Sequence, residues 1–171
     1  MSKKKLQKIF INSSLFPFDP KILNTKNDIV ILSNINNEND SESLQKFISS
    51  FIENYNYNSI NIFVQINDKD LILDINNNKG YHIFNDIIPK GIWVSNKSNI
   101  KRYLEANNVN ADLLIYYNPD FFSAINYLLK YIKADSYIGI GDEKYRDYFQ
   151  MYFIDSKDDF KYIFDFFKKL N

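Results

Sequence analysis

The residues of this chain that could do chemistry are few, and they form no recognisable catalytic motif. Cysteine is absent, which excludes disulfides, thiolate metal ligands and cysteine nucleophiles. The one histidine, His82, lies in the apolar stretch 81–84, where a packed or surface histidine is a simpler interpretation than a general base. Four carboxylates are candidates for acid–base catalysis: Asp74, Asp86, Asp142 and Glu143. Because their spacing pairs none of them for catalysis or metal binding, we predict no catalytic residues and no metal site.

The loop in which a nucleotide site would be sought lacks the residues for one. In doubly wound α/β proteins a glycine-rich loop after the first strand lets the backbone approach phosphate at a helix N-terminus. The corresponding loop here, residues 33–40, contains no glycine and carries Glu38 and Asp40, which would repel an anion. We therefore predict that the protein uses no cofactor, NAD and ATP included.

A second glycine pair is equally weak as a phosphate signal. Gly139 and Gly141 are followed directly by Asp142 and Glu143, and a strand end that turns sharply explains both glycines. The basic pair at positions 144 and 146 is an alternative anion site, although a solvated loop is the simpler interpretation.

Any ligand is expected at the carboxyl ends of the predicted strands. Helix N-termini and polar loops converge at that edge of a parallel sheet. The segment Asn118-Pro119-Asp120 follows a predicted strand, and Asp120 fits the cap of the next helix equally well. The predicted ligand-binding residues are Ser33, Asn34, Asn118, Asp120 and Asp142.

The composition narrows the class of partner. The 21 basic and 21 acidic residues cancel, so there is no electrostatic reason to expect nucleic acid or an anionic membrane. The segment 1–10 is too polar for a signal peptide, and no apolar run is long enough to cross a membrane, so we expect a cytoplasmic protein. The 24 asparagines and the abundant Lys, Ile, Phe and Tyr share A/T-rich codons and indicate an A/T-rich genome.

The first half of the chain is predicted to form a β–α–β unit, which would position the candidate residues Ser33 and Asn34. The apolar run Asp28–Ser33 predicts a strand buried on both faces, and Ile60–Ile66 predicts a second. Between them, helical spacing predicts an amphipathic helix with Asp40 or Ser41 as its cap. Its inward residues are Leu44, Phe47, Ile48, Phe51 and Ile52. The next run, Leu71–Ile75, follows too closely for a parallel crossover, which predicts an antiparallel hairpin through 67–70.

The second half continues the alternation of strands and helices. Strands are predicted at 91–94, 112–117, 137–140 and 149–154. Helices are predicted at 97–106, with Ser95 or Asn96 as cap, from Asp120 to Ile132, and after the capping signature 156–159. The inward stripe of the last helix is Phe160, Ile163, Phe164, Phe167 and Leu170.

The alternation predicts an α/β protein with a three-layer, Rossmann-like sandwich. The sheet is expected to be mostly parallel, with at least one antiparallel strand. Residues 1–27, which begin with a lysine run and contain prolines, are expected to form an extended amino-terminal arm. Residues 28–171 are expected to form a single domain.

The second half resembles a family of uncharacterised small Bacteroidetes proteins known only as a domain of unknown function. The matching residues are Gly91-Ile-Trp93, Ala111 to Ile115, Tyr127 to Ala134, Ile138-Gly139 and Tyr148 to Ile154. This resemblance implies the fold and no activity. Asp112 to Ile115, Ser123-Ala124 and Ile138-Gly139 are also similar to the amino-terminal half of heptosyltransferase-like glycosyltransferases, a family that binds its donor chiefly in a second domain.

Two functional hypotheses follow. The first is a non-enzymatic intracellular α/β domain that binds a protein or a small ligand. The second is a glycosyltransferase-like enzyme, or a degenerate remnant of one, that lacks the donor-binding domain and works with a partner.

Overall fold

The computed structural model describes residues 17–67, 81–84, 97–120, 123–154 and 160–170. The strands are β1 (Asn27–Ile35), β2 (Tyr57–Ile66), β3 (Tyr81–Ile83), β4 (Leu113–Tyr117), β5 (Ser136–Gly141) and β6 (Met151–Ile154). The α-helices are α1 (Glu38–Asn54), α2 (Lys97–Ala106) and α3 (Lys161–Leu170). Short 3-10 helices cover Pro20–Asn24, Ala124–Lys130 and Glu143–Tyr148. The strands predicted at 71–75 and 91–94, the caps predicted at 95–96 and the signature at 156–159 lie outside the described residues.

The six described strands form one parallel sheet in the order β3-β2-β1-β4-β5-β6. This is the strand order of the doubly wound dinucleotide-binding fold, in which the order reverses between β1 and β4. The predicted α/β class is confirmed. The expectation of at least one antiparallel strand is wrong for the described sheet, because all of its strand pairs are parallel, β2 with β3 included. Residues 67–80 separate these two strands, which is enough for the crossover of about a dozen residues that a parallel pair needs. The hairpin expected to lead into the run 71–75 lies outside the described residues.

Helices cover both faces of the sheet. One face packs against α1 and α3, where the rings of Phe47 and Phe164 lie 6.1 Å apart. The other face packs against α2 and the 3-10 helix Ala124–Lys130, through residues such as Leu104 and Leu128. Because both sides of β1 are covered, its continuous apolar run is buried throughout, as a strand inside a parallel sheet requires.

The predictions for α1 are confirmed in its inward face, with two corrections. Leu44, Phe47, Ile48 and Phe51 are buried, but Ile52 is 43% exposed. The cap is neither Asp40 nor Ser41. Asn37 takes that place, since its side-chain oxygen accepts a hydrogen bond from the Asp40 amide at 3.0 Å. An earlier capping residue satisfies the first free amides of a helix that begins earlier than the apolar pattern indicates.

The helix predicted after Asn118-Pro119-Asp120 is described over Ala124–Lys130, while residues 121 and 122 lie outside the described residues. The described part is a 3-10 helix that begins after Ser123, although Ile125, Leu128, Leu129 and Ile132 are buried as predicted. The side-chain amide of Asn126 donates to the backbone carbonyls of Asp120 and Ser123, at 2.6 and 2.7 Å. An asparagine that takes backbone acceptors in this way competes with the α-helical ladder.

The remaining elements differ from the predictions mainly at their ends. α2 has the predicted bounds. The predicted stripe of α3 is confirmed at Phe160, Ile163, Phe164 and Phe167, which are buried, whereas Leu170 is half-buried. The strand predicted at 149–154 begins two residues later, because Gln150 accepts a hydrogen bond from the Tyr137 amide through its side chain instead of joining the ladder. Before β1, Pro20–Asn24 forms one short 3-10 helix capped by Asp19.

Candidate functional site

A buried polar network occupies the point where the strand order reverses. Asn34 of β1 donates from Nδ2 to the Tyr116 hydroxyl of β4 at 3.0 Å. That hydroxyl donates to Oδ1 of Asn126 at 2.9 Å. All three side chains are almost fully excluded from solvent. Burial raises the pKa of the Tyr116 hydroxyl against the opposing hydrogen bond from Asn34, so the hydroxyl stays protonated and acts as a donor.

The network continues into the N-terminus of the 3-10 helix that follows β4. Gln65, from the carboxyl end of β2, accepts through Oε1 from the Ile125 amide at 2.7 Å. Ser123 Oγ lies 2.7 Å from the same oxygen and in hydrogen-bond contact with Oδ1 of Asn34. The Ile125 amide, which would otherwise face the crevice between β1 and β4, therefore donates to the side chain of Gln65.

The donors of the turn between β1 and α1 are also bonded to the protein's own side chains. Oδ2 of Asp40 accepts from the Asn36 backbone amide at 2.9 Å and from the Asn36 side chain at 3.1 Å. Asn37 caps the helix, as described above. A phosphate bound at this turn would have to compete with a carboxylate that already occupies its donors.

Next to this network, the predicted residues Asn118, Asp120 and Asp142 lie around the carboxyl ends of β4 and β5. Asn118 follows β4 directly, and its amide donates to the Ile140 carbonyl of β5 at 2.7 Å. Its φ of 49° is in the left-handed region, which asparagine tolerates better than most residues. Asp120 is half-buried and Asp142 is exposed. Asp142 accepts from the Lys144 amide at 3.1 Å and forms an ion pair with the Lys144 ammonium at 2.9 Å.

Tyr145 lies beside Asp142, and its backbone amide donates to the Asp142 carbonyl at 3.1 Å. Burial raises the pKa of its hydroxyl, the Lys144 charge acts against this, and the negative charges of Asp120 and Asp142 raise it further. The Lys144 ammonium lies 4.9 Å from the centre of the Tyr145 ring. We call Asn118, Asp120, Asp142 and Tyr145 the rim. It places two carboxylates, an amide and a protonated phenol at one edge of the sheet.

Ser33 and Asn34 do not contribute side chains to this surface. Ser33 is fully buried on the face that packs against α1, opposite to Asn34 and Tyr116, and its hydroxyl has no hydrogen-bond partner among the described residues. Asn34 is 1% exposed and belongs to the buried network. The structure thus brings three of the five predicted residues together at the surface and places two in the core.

The two glycines of β5 serve different purposes. Gly141 has a φ of 153°, as a sharp change of direction at the strand end requires. At Gly139 a Cβ atom would lie 2.4 Å from the Tyr152 ring and 2.6 Å from the Phe149 ring. The absent side chain therefore lets both rings pack directly on the sheet. Tyr152 then reaches the rim, where its hydroxyl donates to the Asp142 carbonyl at 2.6 Å.

Sequence reasoning missed Gln65, Asn126 and Tyr145. Gln65 interrupts an apolar strand near its carboxyl end, and Asn126 interrupts an apolar helical stripe. A polar residue at a core position must find a partner inside the protein. The sequence pattern could therefore have predicted buried hydrogen bonds at these two positions. Tyr145 has no comparable signal, because it is one of 13 tyrosines.

Comparison of the chain with protein-family models, curated proteins and solved structures finds no match. The resemblances to the Bacteroidetes family and to heptosyltransferase-like proteins stay predictions. Among the residues that the structure describes, no helix is long and apolar enough to cross a membrane. The same residues contain no group of three or more histidine or carboxylate side chains that would hold a metal ion.

Proposed function

We propose that this domain is a non-enzymatic module that binds a small polar ligand at the rim. One observation carries the proposal: the Asn118 amide donates to the Ile140 carbonyl at 2.7 Å, and the Tyr145 amide donates to the Asp142 carbonyl at 3.1 Å. These bonds join the loops after β4 and β5, so the polar groups of the rim lie at the same edge of the sheet. Carboxylates accept hydrogen bonds, and the protonated phenol donates one. The ligand favoured by this arrangement is rich in hydroxyl or amino donors.

The buried network beneath the rim supports a binding role. Asn126 bonds to the Asp120 carbonyl, and the Tyr116 hydroxyl lies 3.4 Å from the same carbonyl. These bonds hold the backbone of the rim in place before a ligand arrives, which reduces the entropy lost on binding. The rim also lies at the edge of the sheet where open α/β proteins bind ligands.

A thermal-shift screen with a metabolite library tests the proposal. A ligand at about one hundred times its dissociation constant adds about 2.7 kcal/mol to the free energy of unfolding, so a true ligand raises the melting temperature clearly. The variant that removes the site is Asn118→Gly with Asp142→Asn. Glycine keeps the left-handed backbone at position 118, and asparagine keeps the cap at position 142 while removing its charge.

The matched control is Asn58→Ala with Asp135→Ala. Both residues are exposed and lie next to strand starts, at the amino edge of the sheet. The proposal expects the rim variant to lose the shift and the control variant to keep it. A ligand that stabilises the rim variant and the control variant equally binds elsewhere and contradicts the proposal.

A further inference from the structure

A cavity that shares no residue with the rim lies along the free edge of β6. Its volume is about 490 Å³, and its lining residues are Arg146, Tyr152, Phe153, Ile154 and Tyr162. Since β6 is the last strand of the described sheet, its outer edge pairs with no other described strand. This volume is within the range of small-molecule sites, which are mostly apolar with a few placed polar groups.

Apart from Arg146, the lining is apolar and largely aromatic. Phe153 packs edge-on against Tyr162, with ring centroids 6.0 Å apart, and is held from behind by Phe167 at 5.3 Å. The Tyr162 hydroxyl donates to the Ile154 carbonyl, which fixes the ring at the cavity wall. Ile154 is 47% exposed, although apolar side chains of this size usually lie in the core.

Among the described residues that line the cavity, the guanidinium of Arg146 is the one charged group, and none is a carboxylate. The guanidinium has no ion-pair or hydrogen-bond partner in the described part of the chain. Only two of the 21 basic residues in the chain are arginines. Arginine differs from lysine in its planar fork of donors, which matches a carboxylate in a bidentate geometry.

We propose that this cavity, the β6 pocket, binds an aromatic monocarboxylate. The flat body of the ligand packs edge-on or offset against Phe153 and Tyr162, as aromatic pairs prefer. Its carboxylate lies against the guanidinium of Arg146. The described lining carries one positive charge and no negative charge, which matches a ligand with a single negative charge. This site goes beyond the proposed function, because none of its lining residues belongs to the rim. The two sites are in contact at one point, where the Tyr152 hydroxyl donates to the backbone carbonyl of Asp142.

Isothermal titration calorimetry with the whole chain tests this inference. The probes are 3-phenylpropanoate and indole-3-acetate, each compared with its neutral amide. We expect both acids to bind with dissociation constants below about 1 mM and the amides to bind roughly tenfold more weakly. If neither acid binds at this level, or if the amides bind as tightly, the inference is wrong.

Three variants locate the site. Arg146→Gln and Ile154→Glu each should weaken acid binding roughly tenfold, the first by removing the cation and the second by placing a like charge in the pocket. The matched control is Arg102→Gln, which removes the other arginine, exposed on α2. Circular dichroism confirms that each variant is folded, as expected for exposed positions. Acid binding that survives both pocket variants, or that Arg102→Gln also weakens, overturns the assignment.

The rim variant distinguishes the two proposals. Asn118→Gly with Asp142→Asn should leave the affinity for the aromatic acids unchanged. If this variant loses them while Arg146→Gln does not, the acids bind at the rim, and the β6 pocket is not their site.

Discussion

Two regions at the carboxyl side of the sheet satisfy their polar groups in opposite ways. Between β1 and β4, Asn34, Tyr116 and Asn126 are buried and bond to one another. Along β6, Arg146 is exposed without a partner among the described residues, beside the exposed side chain of Ile154. A buried polar group without a partner costs about 1–3 kcal/mol, whereas an exposed one bonds to water. The first region is therefore part of the core, and the second remains open to a ligand.

Because the region between β1 and β4 is closed, the strand order alone does not locate a ligand site in this protein. In doubly wound proteins, the crevice between β1 and β4 receives the ligand. Here Gln65 and Asp40 accept hydrogen bonds from donors at that position, and the two sites that we propose, the rim and the β6 pocket, lie further along the sheet, beside β5 and β6. A fold with a familiar strand order can thus have its available surface elsewhere, and the site must be argued from its side chains.

The largest effect is expected where α3 supports the β6 region. Phe167 is buried, with its ring 5.3 Å from that of Phe153 and 5.6 Å from that of Tyr55. Phe167→Ala should lower the free energy of unfolding by about 3–5 kcal/mol, measured by urea denaturation. The control, Phe166→Ala, removes a neighbouring ring that is 41% exposed and should cost about 1 kcal/mol or less. Equal losses would show that the inner face of α3 is not the one described.

A smaller effect should distinguish the two adjacent tyrosines of β4. Tyr116→Phe leaves Asn34 and Asn126 each short of a partner in a closed network, at a cost of about 1–3 kcal/mol. Tyr117→Phe, on the opposite face, removes the 2.6 Å contact with the Ser43 hydroxyl, and a hydroxyl can rotate to another acceptor. It should cost about 1 kcal/mol. If Tyr117→Phe proves the more damaging in urea denaturation, the β1–β4 network is not the tighter of the two.

The sequence predicted the elements whose pattern is long and regular. The apolar spacing of α1 and α3 and the continuous run of β1 each bury a full face, and periodicity detects that directly. β3 was missed because three residues are too few to show a period. The 3-10 helix after β4 was missed because Asn126 takes its backbone acceptors through a tertiary arrangement that no local pattern contains.

The site was predictable only in part, for a related reason. Asn118, Asp120 and Asp142 follow strand ends, and a parallel sheet brings such ends to one edge. The burial of Ser33 and Asn34 follows from β1 continuing to Ile35 with helices on both faces, which extends the buried strand beyond its apolar run. The β6 pocket depends on β6 being the edge strand, and strand order is not encoded in local spacing.

His82 lies near the opposite edge of the sheet and is half-buried. Its burial is therefore intermediate between that of the β1–β4 network and that of the exposed Arg146. Its ring is stacked on Phe63, with centroids 4.5 Å apart, and lies 2.7 Å from the Tyr103 hydroxyl and 3.1 Å from Oδ1 of Asn61. Burial lowers the pKa of His82 below 6.5, so the unfolded chain binds this proton more readily than the folded one. The resulting stability is complete above pH 6.5 and falls as the pH decreases from 6.5 through the lowered pKa.

The measurement is urea denaturation between pH 5 and pH 8 for the natural chain and for His82→Gln. We expect the difference between the two proteins to be constant above pH 6.5 and to change below it, as the natural chain loses the contribution of the neutral ring. A difference that stays constant over the whole pH range would mean that His82 has the same pKa in the folded and the unfolded chain. Partial burial of the ring would then have no effect on its titration.

The smallest effect is expected at the rim itself, and it determines how a loss of binding there is interpreted. The ammonium of Lys144 lowers the pKa of Asp142 through hydrogen bonds, but both groups are exposed, and water and salt screen such a pair. Lys144→Ala and Asp142→Asn should therefore leave the melting temperature unchanged at low and at high salt, since asparagine retains the cap on the Lys144 amide. If either variant lowers the melting temperature clearly, the rim is part of the folded framework, like the β1–β4 network. If neither does, a ligand shift lost in Asp142→Asn reflects a lost contact with the ligand.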